Sequence, residues 1–99
     1  MWILRTIVEQ PPEQTFRILA GSIRTIGRSP GADFIVDAPL VSRVHCRLTA
    51  LATGELEVLD LDSTNGTFIN GERVVSRRLS SGDRLGVGRT ELIALRDAD

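Results

Sequence analysis

Ser42, His45 and Asp62 are the ingredients of a nucleophilic triad, and His45 beside Cys46 supplies two metal-ligand types. Neither set completes a recognisable site. No G-x-S-x-G elbow surrounds Ser42 and no oxyanion loop is apparent. Adjacent residues of a strand point to opposite faces, so His45 and Cys46 would not share a ligand, and no C-x-x-C or H-x-E pattern supplements them. Cys46 reads as a small buried apolar residue. Gly86-Val87-Gly88-Arg89-Thr90 has a faint look of a phosphate loop, but it lacks the lysine and the helix and reads as a turn between edge strands. Asn65-Gly66-Thr67 is a formal glycosylation sequon without an apparent signal peptide to bring it into a secretory lumen. No catalytic group, metal or cofactor is expected.

Three polar segments carry more. Thr25-Ile26-Gly27-Arg28-Ser29-Pro30 places an arginine at a strand end. Leu40-Val41-Ser42-Arg43-Val44-His45 is a polar step into a strand. The segment from Leu61 through Asp62-Ser63-Thr64-Asn65-Gly66 to Gly71 is turn-rich and flanked by apolar stretches. Brought together, they would assemble two guanidinium groups, several hydroxyls, an amide side chain and exposed backbone N–H groups. That set suits a phosphate dianion: guanidinium offers paired donors, and hydroxyls and turn N–H groups fill the remaining acceptor positions.

Short strands must position these loops. No segment shows helical periodicity over twelve residues. Apolar stretches alternate with turn residues instead: Trp2–Val8, Thr15–Leu19, Ile23–Ile26, Phe34–Val36, Val44–Leu51, Glu55–Leu61, Thr67–Ile69, Arg73–Val75, Arg84–Val87 and Thr90–Leu95. Pro11-Pro12 is expected to stop the first. Asn70-Gly71 predicts a hairpin, because both residues tolerate positive φ. The change of phase between Val58 and Leu59 predicts a β-bulge or a strand end. About ten or eleven such strands at this spacing make an all-β, two-sheet sandwich of mainly antiparallel strands.

Composition bounds the rest. The 99 residues suit one domain, 1–99, and 41% hydrophobic with 25% charged residues is the balance of a globular chain. All twelve basic residues are arginine, which excludes lysine-dependent chemistry, and a net charge of −1 means that any anion site must be local. One cysteine forms no internal disulfide. Arg5 interrupts the first apolar run, which is too short for a signal core or a membrane span, so a cytoplasmic protein is expected.

From about Phe16 to about Leu95 the chain resembles the forkhead-associated (FHA) domain, a β-sandwich that binds phosphothreonine peptides. The resemblance rests on Ile26-Gly27-Arg28, on Asp33 through Val36, on Asp37 through His45, and on Asp60 through Gly71. Leu79, Gly82-Asp83 and Gly88 add to it. It implies that Arg28 contacts the phosphate or the adjoining peptide backbone and that Ser42 donates its hydroxyl to a phosphate oxygen. Arg43 adds a contact through backbone or side chain, Thr64 contributes to the phosphothreonine pocket, and Asn65 hydrogen-bonds the ligand's main chain. His45 braces the loops carrying Ser42 and Asn65, while Gly27 and Gly66 permit the backbone geometry. Asn70-Gly71 would turn the chain without touching ligand. Leu40 stands where some members read the third residue after phosphothreonine with a polar side chain, so an apolar preference, or none, is expected there. The implied partner is a Thr-phosphorylated protein of a Ser/Thr kinase pathway, with no nucleic acid and no membrane. A phosphate-independent assembly role on the same scaffold is the alternative.

Overall fold

The computed structural model describes residues 1–8 and 13–97. They form eleven strands and no helix: β1 (Trp2–Thr6), β2 (Thr15–Ile18), β3 (Ile23–Gly27), β4 (Phe34–Ile35), β5 (Cys46–Ala50), β6 (Leu56–Asp60), β7 (Thr67–Ile69), β8 (Glu72–Val74), β9 (Ser76–Leu79), β10 (Arg84–Val87) and β11 (Thr90–Arg96). A six-stranded sheet runs β2-β1-β11-β10-β7-β8, and a five-stranded sheet runs β4-β3-β5-β6-β9. Every recorded pairing is antiparallel except β3 with β4.

Strand alternation builds the core. Trp2, Leu4, Leu85, Val87, Leu92 and Ala94 point inward from one sheet, and Ile26, Leu48, Ala50, Leu56 and Val58 from the other; all are buried. The Trp2 indole N–H donates to the Gly54 carbonyl at 2.8 Å, so the largest core side chain leaves no polar atom stranded. Stacked Phe16 and Phe34 rings, 4.7 Å apart, close one edge of the sandwich between β2 and β4.

The expected sandwich and the Asn70-Gly71 hairpin are present, with φ of 51° and 86° at the two turn residues and Ile69 paired with Glu72. Several details differ. β6 carries no bulge and does not end at Val58: its register with β5 is unbroken from Leu56 to Asp60. The change of phase has another cause. Leu59 faces outward opposite Arg47, and Asp60 takes the inward phase that a hydrophobe would otherwise occupy. The turn around Gly88 joins β10 and β11, which are central strands of the larger sheet and not edge strands. β9, Ser-Arg-Arg-Leu, has no apolar alternation to announce it and is held by backbone pairing to β6. Pro11-Pro12 lies outside the described residues. Among the described residues, no helix is long and apolar enough to cross a membrane.

Candidate functional site

The three polar segments meet at one end of the sandwich. β3 delivers Gly27 and Arg28 beside the 40–45 segment: the Arg28 amide donates to the Ser42 carbonyl at 2.9 Å and the Ser29 amide to the Arg43 carbonyl at 3.2 Å. Gly27 is required by contact rather than by φ. A Cβ there would lie 2.0 Å from the Arg43 carbonyl oxygen and 2.9 Å from Val44 Cα, so any side chain would force the two segments apart. The far side of the Arg28 loop is pinned by Asp33. Its carboxylate accepts from the Thr25 amide and hydroxyl, at 2.8 and 3.1 Å. The backbone bond from Thr25, followed by the hydroxyl bond, holds this carboxyl below the usual carboxylate range.

Arg28 and Arg43 are both exposed and line one recess together with Ser29, Pro30, Ile35 and Asp37. Arg28 Nε donates to the Val41 carbonyl at 3.0 Å. That single bond orients the guanidinium while leaving its terminal NH₂ groups, among the described residues, uncommitted. Ser42 Oγ accepts from the Thr64 amide at 3.2 Å, which joins the second segment to the third and leaves the hydroxyl hydrogen available to an incoming oxygen. Asn65 Nδ2 donates to the Leu40 carbonyl at 3.1 Å, fixing the amide plane; the side chain is otherwise exposed. Arg28, Ser42, Arg43, Thr64 and Asn65 therefore share one surface.

His45 is fully buried beneath them. The Ser42 amide donates to Nδ1 at 3.0 Å, and Nε2 lies 2.7 Å from the Gly66 carbonyl. An amide can only donate, so Nδ1 is the acceptor, the ring proton sits on Nε2, and Nε2–H donates to Gly66. Both nitrogens are thus committed to backbone. The ring bonds the main chain of Ser42 and not its hydroxyl, so the triad geometry of general-base catalysis is not formed. Cys46 is fully buried as well, and burial, then the neighbouring Asp60 charge, push its thiol up to about 12; this is an inert core thiol.

Asp60, Ser63 and Thr67 form a supporting network that motif reading passed over. Asp60 accepts from the Ser63 hydroxyl at 2.5 Å, from the Thr67 hydroxyl at 2.7 Å and from the Ser63 amide at 3.2 Å. Ser63 Oγ in turn accepts from the Gly66 amide at 3.0 Å. Burial raises the Asp60 pKa, but the bonds from Ser63 and Thr67 outweigh it and the net shift is downward. The available signal was an aspartate in the inward phase of β6. Gly66 has φ +93°, a conformation that favours glycine, and the Arg73 guanidinium and Phe68 ring crowd the space where a side chain would stand. Gly88 completes the floor. Its amide donates to the Gly66 carbonyl at 3.2 Å, and a Cβ would lie 2.5 Å from the Leu40 carbonyl oxygen. Asn70-Gly71 lies outside this cluster, its asparagine side chain engaged with Asp83 and Arg84.

Comparison with known proteins gives one answer. A family model described as FHA domain matches residues 24–88. The chain is 37% identical over 90 residues to the glycogen accumulation regulator GarA of Mycolicibacterium smegmatis, covering 90% of this chain but only 56% of that protein. The FHA domain of the CT664 protein from Chlamydia trachomatis shares the fold, with a TM-score of 0.93 at 21% identity over 98% of each chain. An FHA domain solved in work on phosphothreonine-dependent FHA domain interactions gives a TM-score of 0.84 at 28% identity, over 99% of this chain and 98% of that one.

Proposed function

This chain belongs to the FHA domain family, and from that premise we propose that residues 1–99 form a single phosphothreonine-peptide-binding module. It makes and breaks no bond. It acts in the cytoplasm, joining a Thr-phosphorylated protein to a Ser/Thr kinase pathway, and its partner is neither nucleic acid nor membrane. The observation that carries this reading is the meeting at one end of the sandwich of the three segments that bear Arg28, Ser42 with Arg43, and Thr64 with Asn65, joined by the Ser42–Thr64, Arg28–Val41 and Asn65–Leu40 hydrogen bonds.

Each residue then has a task. Arg28 and Arg43 meet the phosphate charge of about −1.5 to −2 with guanidinium donors. Ser42 donates its free hydroxyl hydrogen to a phosphate oxygen. Thr64 borders the phosphothreonine, and the Asn65 amide reads the ligand's main chain. Gly27, His45 and Gly66 hold the backbone that carries them. Several charge-assisted bonds of about 1.5–3 kcal/mol each, set against the ordering of a loose peptide, give a dissociation constant on the order of micromolar, suited to reversible signalling.

A degenerate phosphothreonine peptide library passed over the immobilised protein tests this. Retention of a consensus that is lost after phosphatase treatment is expected. Equal retention of treated and untreated peptides would instead support phosphate-independent assembly. Affinity for a selected peptide should also weaken as pH falls through about 6, where the phosphate takes up its second proton; a flat titration between about pH 5.5 and 7.5 contradicts a dianion site.

A further inference from the structure

The outer face of the six-stranded sheet carries four arginines that the site does not use. By register, Arg84, Ile93 and Arg5 stand opposite one another on β10, β11 and β1. Leu95, Ile3 and Arg17 form the next row. Towards the site, Arg73, Phe68, Gly86 and Glu91 form a third. The four arginines are exposed, while Ile3, Phe68, Ile93 and Leu95 are half-buried between them. Among the described residues none of these arginines is in an ion pair, and Glu91 is the one acidic residue of the three rows. On the opposite sheet Arg78 is bridged to Glu55 and Glu57, while Arg24 and Arg47, like the four arginines here, are in no ion pair among the described residues. A net positive face thus sits on a chain whose total charge is −1.

This face is continuous with the candidate site. Gly66 leads directly into β7, and the Arg73 guanidinium lies over Gly66: a Cβ there would be 3.0 Å from Arg73 Nε and 3.1 Å from Phe68 Cε1. Beyond Phe68, a shallow trough crosses Gly86, Gly88, Arg89 and Glu91 towards Ile93. From β7 to β2 is four strand intervals, roughly 19 Å, a distance about six extended residues span.

We propose that this face docks an acidic segment whose carboxylates are interleaved with apolar side chains, and that this segment belongs to the same polypeptide as the phosphothreonine. The inference rests on the phosphopeptide reading above. Charge complementarity selects an acidic partner. Arginine and the apolar Ile93, Ile3 and Leu95 share this face, so an extended segment meets both by presenting carboxylate and apolar side chains in turn at every second residue, and exposed arginines around an apolar centre are the composition of protein interfaces. A nucleic-acid backbone would waste the apolar rows.

Fluorescence anisotropy with five synthetic probes, together with an NMR titration, tests the proposal. The probes are a short phosphothreonine peptide with neutral flanks, the same peptide extended by Glu-Ser-Leu-Ser-Glu-Ser at its N-terminal side, the same peptide so extended at its C-terminal side, the extension alone, and a 12-base-pair DNA duplex. One of the two extended peptides should bind about 10-fold tighter than the short one. That gain should vanish in Arg5→Glu/Arg84→Glu with short-peptide affinity unchanged, and raising salt from about 0.05 to 0.3 M should weaken the extended peptide more than the short one. The extension alone should move the NMR signals of Ile3, Arg5, Arg84 and Ile93, a readout independent of phosphate. No gain from either extension, equal loss of short-peptide binding in the double variant, or tighter binding of the duplex than of the extension each overturns the proposal. Failure of the short peptide alone, with the NMR shifts present, would sink the phosphothreonine reading and leave the acidic docking face standing.

Discussion

The undersides of the three site loops and their tips are built on opposite terms. Underneath, His45, Asp60, Ser63 and Thr67 commit their polar atoms to the protein's own backbone and hydroxyls, and among the described residues no buried side-chain polar atom lacks a partner. At the tips, Arg28, Arg43, Thr64 and Asn65 are exposed and hold donors in reserve. Support is therefore separable from contact. Removing a supporting group costs stability as well as binding, because its partners are left buried and unsatisfied. Removing a tip costs binding alone.

His45→Ala probes the support most severely. It strands the Ser42 amide, removes one donor from the Gly66 carbonyl and leaves a void, for a loss of about 3 kcal/mol or more. In a domain of this size that lowers Tm by roughly 12–24 °C, and affinity should fall with it. Full stability with lost affinity would move His45 from the supporting layer to the contact layer.

Arg28→Ala is the opposite case. Affinity for a phosphothreonine peptide should fall about 100-fold, the equivalent of about 2.7 kcal/mol. Stability should stay within about 0.5 kcal/mol, as for an exposed residue. A large drop in Tm would erase the distinction between tip and support.

Asp60→Asn weakens the support by a smaller amount, about 1–2 kcal/mol, because an amide accepts fewer of the Ser63 and Thr67 bonds than a carboxylate does. The pH dependence has a definite sign. A carboxylate held below its ordinary value contributes stability that is complete above about pH 4 and is lost as pH falls through its lowered folded value. Thermal melts of the wild type should therefore show an acid limb that Asp60→Asn flattens. An unchanged limb assigns acid sensitivity to another carboxylate.

The smallest effect separates phosphothreonine from phosphoserine. One methyl contributes about 0.8 kcal/mol on burial, so a matched peptide pair should differ by about four-fold. A much larger ratio would show that the methyl also fixes the phosphate's orientation.

The meeting of the three loop segments was legible in the sequence, because Gly27-Arg28, Ser42 with His45, and Asn65-Gly66 each sit in a turn-rich segment between apolar strands; their proposed contacts to ligand come from the family resemblance. The supporting layer was half legible. His45 and Gly66 belong to those motifs, but Asp60 is one acidic residue at the end of an apolar strand, and only the unbroken β5–β6 register shows that it points inward. Gly88 was visible as a turn but not as the floor under Leu40, since that contact joins residues 48 positions apart. β9 was invisible for a related reason. Its Ser-Arg-Arg-Leu sequence carries no period-two apolar pattern, and backbone pairing to β6 rather than side-chain burial makes it a strand.

The central claim is that the loops bearing Arg28, Ser42 and Asn65 act together as one phosphate-dependent site. A two-dimensional NMR titration tests it most directly, using one library-selected peptide in its phosphorylated and unphosphorylated forms. With phosphothreonine, signals of Arg28, Ser42, Arg43, Thr64 and Asn65 should move together and saturate with a single constant, while the unphosphorylated peptide moves none of them. Shifts confined to one loop, or the same shifts with both peptides, would contradict the account.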